Sequence, residues 1–206
     1  MTENIFHNPT LISYIVERIK ETYPATQISK TIIQNLAYLL SKQGTVNFDY
    51  SLYHYGPYSS QISNELNFAE EMDFIVIDWI PERGYSISLG SMYSSKQLLQ
   101  NTQKLERDAI NEVVQKYGAY NAIELSIITT ALFLKEKFGV NDKSKLVEIV
   151  SSLKPQYNKE RISNLLANTL QNWEIKTMAN LLSSAHEDLT IQHGSVFSQD
   201  YTKVRK

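Results

Sequence analysis

The chain of 206 residues contains no cysteine. That absence removes disulfides, cysteine nucleophiles, iron–sulfur ligation and cysteine-rich zinc sites together. Glycine is scarce, at 7 positions. None of them builds GxGxxG or GxxxxGK[ST], so the loops that cradle nucleotide phosphates are missing, and no GxSxG elbow is present. The histidines are His7, His54, His186 and His193, without HExxH spacing, whereas a metal centre needs three or four converging ligands. No apolar run approaches the roughly 18 residues that suggest a membrane span. The opening residues, MTENIFHNPT, carry no basic residue and no apolar stretch, so no secretory signal is expected. Nor is there a cationic excess, since Lys+Arg 20 against Asp+Glu 22 gives a net charge of −2. A cytoplasmic protein without cofactor or metal, and away from the membrane, is the expectation.

What the chain does carry is helical periodicity, with one short β region. Asn8-Pro9 reads as a capped helix start, and Leu11, Ile12, Ile15, Val16 and Ile19 share the face that follows until Pro24. A second helix is expected from about Gln27 to Lys42, with Ile28, Ile32, Ile33, Leu36, Leu39 and Leu40 as its stripe and Gly44 as its end. Residues 45–55 alternate loosely and read as a short strand or extended segment, with Gly56-Pro57 as a turn. Ser59 or Ser60 then caps a helix bearing Ile62, Leu66, Ala69 and Met72. Residues 74–80 are almost wholly apolar, Pro81-Glu82-Arg83-Gly84 is a hairpin turn, and Tyr85, Ile87 and Leu89 alternate back. Helix, helix, short strand, helix, hairpin is the element order of a winged helix.

Only helices are predicted beyond Ser94. One spans 94–117 and is closed by Gly118. Another is opened by the capping-box pair Asn121 and Glu124 and ends before Gly139. A short one covers 143–153 and stops before Pro155. A further helix starts near Asn158 and carries Ile162, Leu165, Leu166, Leu170 and Trp173, and residues 174–186 form one more. The expected fold is mainly α with a small β hairpin, an α+β class. A winged-helix-like module occupies 1–90, a helical bundle extension 91–189, and a loosely ordered tail 190–206.

The densest chemical signal is the run Tyr50, Tyr53, His54, Tyr55, Gly56, Pro57, Tyr58. Four of 13 tyrosines fall within these nine residues. Two readings follow. The rings form a platform that packs a helix onto a hairpin, since tyrosine buries its ring while satisfying its hydroxyl. Alternatively they form a recognition surface, because tyrosine is enriched at interfaces. His54 is expected to be a packed or hydrogen-bonded ring. The cluster Glu70, Glu71 and Asp73 sits at a helix end, where adjacent carboxylates commonly face water.

The stretch Ile32-Ile33-Gln34-Asn35-Leu36-Ala37-Tyr38-Leu39-Leu40, followed by Tyr53-His54-Tyr55-Gly56-Pro57-Tyr58-Ser59, resembles the Panacea domain. That family takes in SocA-like antitoxins, YwgA-like bacterial proteins and phage-associated proteins of mobile elements. Tyr38, His54, Gly56 and Pro57 are the residues here that match its structural motif. Asn35 departs from it, standing where relatives commonly carry Lys. The match covers about residues 27–90, while Ala122 to Phe133 and Leu153-Lys154-Pro155 look more like the YwgA-like branch. The resemblance implies a non-enzymatic protein-interaction module, an antitoxin that neutralises a toxin by direct binding or an adaptor for proteolysis. It supplies no catalytic residue.

The winged-helix order also admits a transcriptional regulator that binds DNA, as a dimer through the 94–117 helix. Charge weighs against it. Residues 1–90 hold five basic side chains and ten acidic ones, a balance of −5, and the remainder is therefore +3. The recognition-helix position, YSSQISNELNFAEE, has no Lys or Arg, although phosphate neutralisation supplies most non-specific affinity for DNA. Partner-binding candidates are accordingly Tyr53, Tyr55, Tyr58, Gln61, Glu65, Glu70 and Glu71, with a protein rather than a nucleic acid as the partner of residues 1–90.

Overall fold

The N-terminal half is organised by two helices, α1 (His7–Thr22) and α2 (Lys30–Ser41), in a computed structural model that describes residues 4–169. Helix α1 begins earlier than Asn8-Pro9 suggests. Phe6 is its N-cap and makes no side-chain cap bond. Pro9 lies inside the first turn, where a missing N–H leaves no helical bond unmade. The Asn8 amide instead donates across to Glu65 at 3.0 Å. Helix α2 starts three residues later than its apolar stripe predicts, because the Ser29 hydroxyl accepts from the Ile32 N–H and caps it there. Residues Ile32 to Leu40 are all buried.

Two short strands follow, β1 (Ser51–Tyr53) and β2 (Gly56–Tyr58). They pair antiparallel with Tyr53 opposite Gly56. The turn is therefore His54-Tyr55, and Gly56-Pro57 lies in the returning strand, not in the turn expected from the dipeptide. Helix α3 (Ser60–Glu71) leads to the larger hairpin of β3 (Ile75–Ile80) and β4 (Gly84–Leu89). Ile77 faces Ile87, and Trp79 faces Tyr85. The Ile87 N–H donates to the Ile28 carbonyl at 2.8 Å, which ties the hairpin to the segment before α2. The Gln27 amide adds bonds of 3.0 Å to the carbonyls of Arg83 and Tyr85. This is the winged-helix order, with the β1–β2 hairpin placed between its second and third helices.

At the base of the wing, Gly90 passes so close to Asp73 that a Cβ on it would lie 2.1 Å from the Asp73 carbonyl oxygen. Asp73 itself has φ of 53°, and its carboxylate accepts from the Ser91 N–H and hydroxyl. One member of the acidic cluster thus closes a loop rather than facing outward.

The stretch expected as one helix over 94–117 is two, α4 (Ser95–Asn101) and α5 (Lys104–Tyr117). Extended backbone at Thr102 separates them. Arg107 donates to the Thr102 carbonyl at 2.8 Å and the Gln103 N–H donates to Glu106 at 2.6 Å, so the break is held by side chains. Helix α6 (Ala122–Phe138) opens with both halves of the Asn121–Glu124 capping box and closes on left-handed Gly139, as its sequence indicates. Helix α7 (Lys143–Leu153) is capped by Asp142 and is followed by Lys154-Pro155. A further helix starts at residue 159, and Leu170 and Trp173, expected on it, lie outside the described residues.

Residues 125–134 of α6 are buried on every side. Its small hydroxyls are compatible with that because Thr129 and Thr130 donate to carbonyls one turn back, at 2.8 and 2.6 Å. Helix α5 packs on α1 and α2, and α6 packs on α2 and β2. Residues 1–162 form one compact unit, so the boundary expected near residue 90 falls within it. A second unit comprises 163–206. The helix expected at 174–186 and the tail at 190–206 lie outside the described residues.

Candidate functional site

A three-residue strand pair has little stability of its own. The β1–β2 hairpin is fixed by side chains that reach it from below. Gln34 of α2 grips Ser59 by both backbone groups: its amide nitrogen donates to the Ser59 carbonyl at 2.9 Å, and its Oε1 accepts from the Ser59 N–H at 3.0 Å. The neighbouring Asn35 donates to the carbonyls of Thr31, at 2.8 Å, and of Tyr55, at 3.3 Å. Its Oδ1 accepts from the Thr129 hydroxyl of α6 at 2.6 Å. Lys154, beyond the end of α7, donates to the His54 carbonyl at 2.9 Å and to the Ser126 hydroxyl at 2.6 Å. The two turn carbonyls, of His54 and Tyr55, thus each take a side-chain donor from a different element.

Gly56 makes this fit possible. Its φ of 103° is one that L side chains rarely adopt. A Cβ there would stand 2.6 Å from Asn35 Oδ1 and 2.9 Å from Thr129 Oγ1. Pro57, also buried, follows it.

Lys154 is the unusual member. It is 2% exposed, and its two partners are neutral. Desolvation pushes its amine down to about 8. A buried ammonium without an anion is costly. The Ser126–Lys154 pair has the composition of a nucleophile and base, but both side chains are 2% exposed beneath the hairpin, so no substrate reaches them in this conformation.

On the outer side the rings are presented to solvent. Tyr53 and Tyr55 are 63% and 64% exposed, and Tyr58 is 38% exposed. Tyr53 meets the His54 ring edge-on at 5.1 Å and the Tyr58 ring at 5.7 Å. The Tyr58 hydroxyl accepts from Ser63 at 3.0 Å. The aromatic run therefore divides. Tyr50 packs edge-on against buried Tyr38 at 5.2 Å, as a platform would, while Tyr53, Tyr55 and Tyr58 do not. His54 is exposed in the turn, with its ring packed against Tyr53, and its backbone carbonyl, not its ring, makes the inward bond.

The remaining candidates are on α3 and separate by role. Gln61 is exposed and accepts from the Asp49 N–H at 2.9 Å. Glu65 is half-buried on Asn8. Glu70 and Glu71 are exposed at the helix end. Tyr38 is a core residue whose hydroxyl donates to Glu136 at 3.1 Å, and Glu136 also pairs with Lys42 at 2.6 Å. Burial and the Glu136 charge raise the Tyr38 hydroxyl pKa well above its ordinary value.

A second aromatic group marks the wing tip. Trp79 is 64% exposed and meets Tyr85 edge-on at 5.0 Å, while the Lys30 amine lies 4.6 Å above the Tyr85 ring. No group of three metal-ligating side chains occurs among the described residues, and none of their helices is long and apolar enough to cross a membrane. Compared with protein-family models and with curated proteins, the chain gives no match.

Proposed function

We propose that this is a cytoplasmic, non-enzymatic protein-interaction module, of the antitoxin or proteolytic-adaptor kind, that binds a protein partner through the β1–β2 hairpin and the adjoining face of α3. The carrying observation is the exposure of Tyr53 and Tyr55 on a turn whose backbone is anchored by buried side chains. Rigid, amphipathic rings give large contact area at small entropic loss. A purely structural tyrosine would be turned inward, as Tyr38 is. The resemblance of the Ile32–Leu40 and Tyr53–Ser59 segments to the Panacea domain supports the same reading. So does the polar anchoring, which gives Gln34, Gly56 and Ser59 a shared structural purpose.

The outer face of α3 adds a charge preference. Gln61, Asn64, Asn67, Glu70 and Glu71 are exposed, and the helix has no basic residue. A partner with a basic surface is complementary to this face, and complementary charge speeds encounter. A basic toxin is the concrete form of such a partner. The winged-helix order favours a second reading, a transcriptional regulator, but the same face would repel phosphates, and Arg83 is the sole cation at the wing turn.

The test is a nuclease-treated pull-down from the native cell with the full chain. One stoichiometric protein, toxic when produced alone, is the expected result. The Glu70→Lys/Glu71→Lys double variant should bind that protein at least fivefold more weakly, and increasingly so at low salt. Unchanged affinity would remove the acidic face from the site. Retention of a specific DNA sequence with no protein would favour the regulator.

A further inference from the structure

The tyrosine hairpin is short, yet one of the residues that hold it lies 100 positions away. Lys154 comes from the link after α7 and reaches the His54 carbonyl at the hairpin turn. Its other contact, Ser126, lies on the helix that packs against β2. The amine is enclosed, and neither partner carries charge. A methionine would occupy similar space without placing an ammonium among neutral groups, and such replacements of buried ionic groups commonly leave a fold as stable or more so. Departures of this kind from the rules of core packing concentrate at functional sites.

The Ser126–Lys154 pair as a catalytic dyad lacks access to substrate. The exposed Trp79 and Tyr85 at the wing tip have nothing to identify what covers them. The acidic end of α3 belongs to the surface already described. Lys154 beneath the turn has both a geometry and a consequence. Asn35 holds the Tyr55 carbonyl from α2, and Lys154 holds the His54 carbonyl from the far end of the unit. Without the second bond the turn would be tethered on one side only, and the rings of Tyr53, His54 and Tyr55 would sample many orientations.

We propose that Lys154 is a positioning residue for partner recognition: its ammonium latches the His54 carbonyl and so sets the orientation in which Tyr53 and Tyr55 meet the partner. The functional half of this inference rests on the hairpin being the recognition surface, whereas the latch itself is a property of the free protein. The latch also links recognition to the segment that leads toward the C-terminal unit.

Hydrogen exchange on the full-length free protein tests the latch. In Lys154→Met, peptides covering residues 50–58 should exchange at least tenfold faster, while peptides from α2 and α6 stay within twofold of the wild type. Ser126→Ala, which removes one acceptor of the same amine, should give a smaller increase confined to the same peptides. Equal exchange of 50–58 in both variants overturns the proposal, and so does a uniform rise across the chain, which would make Lys154 an ordinary core residue. Should Lys154→Met fail to fold, Ser126→Ala decides: a local increase supports the latch and no local change overturns it. Affinity for the protein retained in the pull-down separates the two halves. Looser exchange with at least fivefold weaker binding supports the whole inference. Looser exchange with unchanged binding overturns the role in recognition, and with it the reading of the hairpin as the binding surface.

Discussion

Alanine at Gly56 should unfold a large part of the protein's stability margin and detach the tyrosine hairpin. Two effects add. A φ of 103° is strained for any L residue, which costs about 1–3 kcal/mol. The new methyl would also press on Asn35 Oδ1 and Thr129 Oγ1, at 2.6 and 2.9 Å, and overpacking of a filled interior costs about 1–3 kcal/mol more. Neither neighbour can turn aside freely. Asn35 is bonded to Thr31, Tyr55 and Thr129, and Thr129 is bonded to Leu125. The sum is a sizeable share of the roughly 5–15 kcal/mol that holds a typical domain folded. Urea unfolding measures it directly. Gly44→Ala is the control, since a left-handed φ of 73° there adds strain but nothing lies within 4 Å of the new methyl. Losses of equal size at both positions would show that the close approach to α2 and α6 is not the cause.

The second large effect is a stability maximum on the alkaline side of neutrality. Burial lowers the Lys154 amine from 10.5 to about 8. Below pH 8 it is protonated in both states, and the folded state alone bears the desolvation, equivalent to about 3 kcal/mol. Between pH 8 and 10.5 the unfolded chain still binds the proton that the folded protein releases, so stability rises with pH. Lys116, also lowered by burial, acts in the same direction. The buried tyrosines oppose this further up. Burial raises the hydroxyls of Tyr38, Tyr50, Tyr93 and Tyr117, with the carboxylates of Glu136 and Glu17 adding to the effect at Tyr38 and Tyr93. Above pH 10 the unfolded chain gives up phenolic protons that the folded one retains, and stability falls. Urea midpoints should therefore climb from pH 8 toward 10 and drop steeply beyond it. Lys154→Met should keep the drop and lose most of the climb. A climb of undiminished size in that variant would contradict the burial of an ammonium beneath the hairpin.

Local signals in the sequence located most elements. The Asn121–Glu124 pair and Gly139 mark both ends of α6, because caps are chemical events within a few residues. The Pro81–Gly84 turn and the winged-helix order were legible for the same reason. Periodicity failed where tertiary partners decide. The break between α4 and α5 carries no Gly or Pro to announce it, and it is held by Arg107 and Glu106 closing on Thr102 and Gln103. The turn of the small hairpin lies two residues before Gly56-Pro57, because that glycine is used for close approach to Asn35 and Thr129.

The candidate site was half legible. A tyrosine-rich run announces an aromatic feature, but which rings face outward follows from the backbone anchoring. Lys154 carries no local mark of burial, although Leu153-Lys154-Pro155 stands out as a stretch. A lysine before a proline reads as an exposed helix end, and only the fold brings His54 and Ser126 to it. Asp73 shows the converse, since an acidic residue expected to face water is bonded to Ser91.

The central claim is that the hairpin tyrosines recognise a protein, and one titration tests it most directly. The protein retained in the pull-down is titrated against the wild type and against Tyr53→Ala/Tyr55→Ala, two rings that face solvent and whose loss leaves the core intact. Binding at least tenfold weaker, with an unchanged urea midpoint, is the result this account predicts. Equal affinity for the two proteins would contradict it.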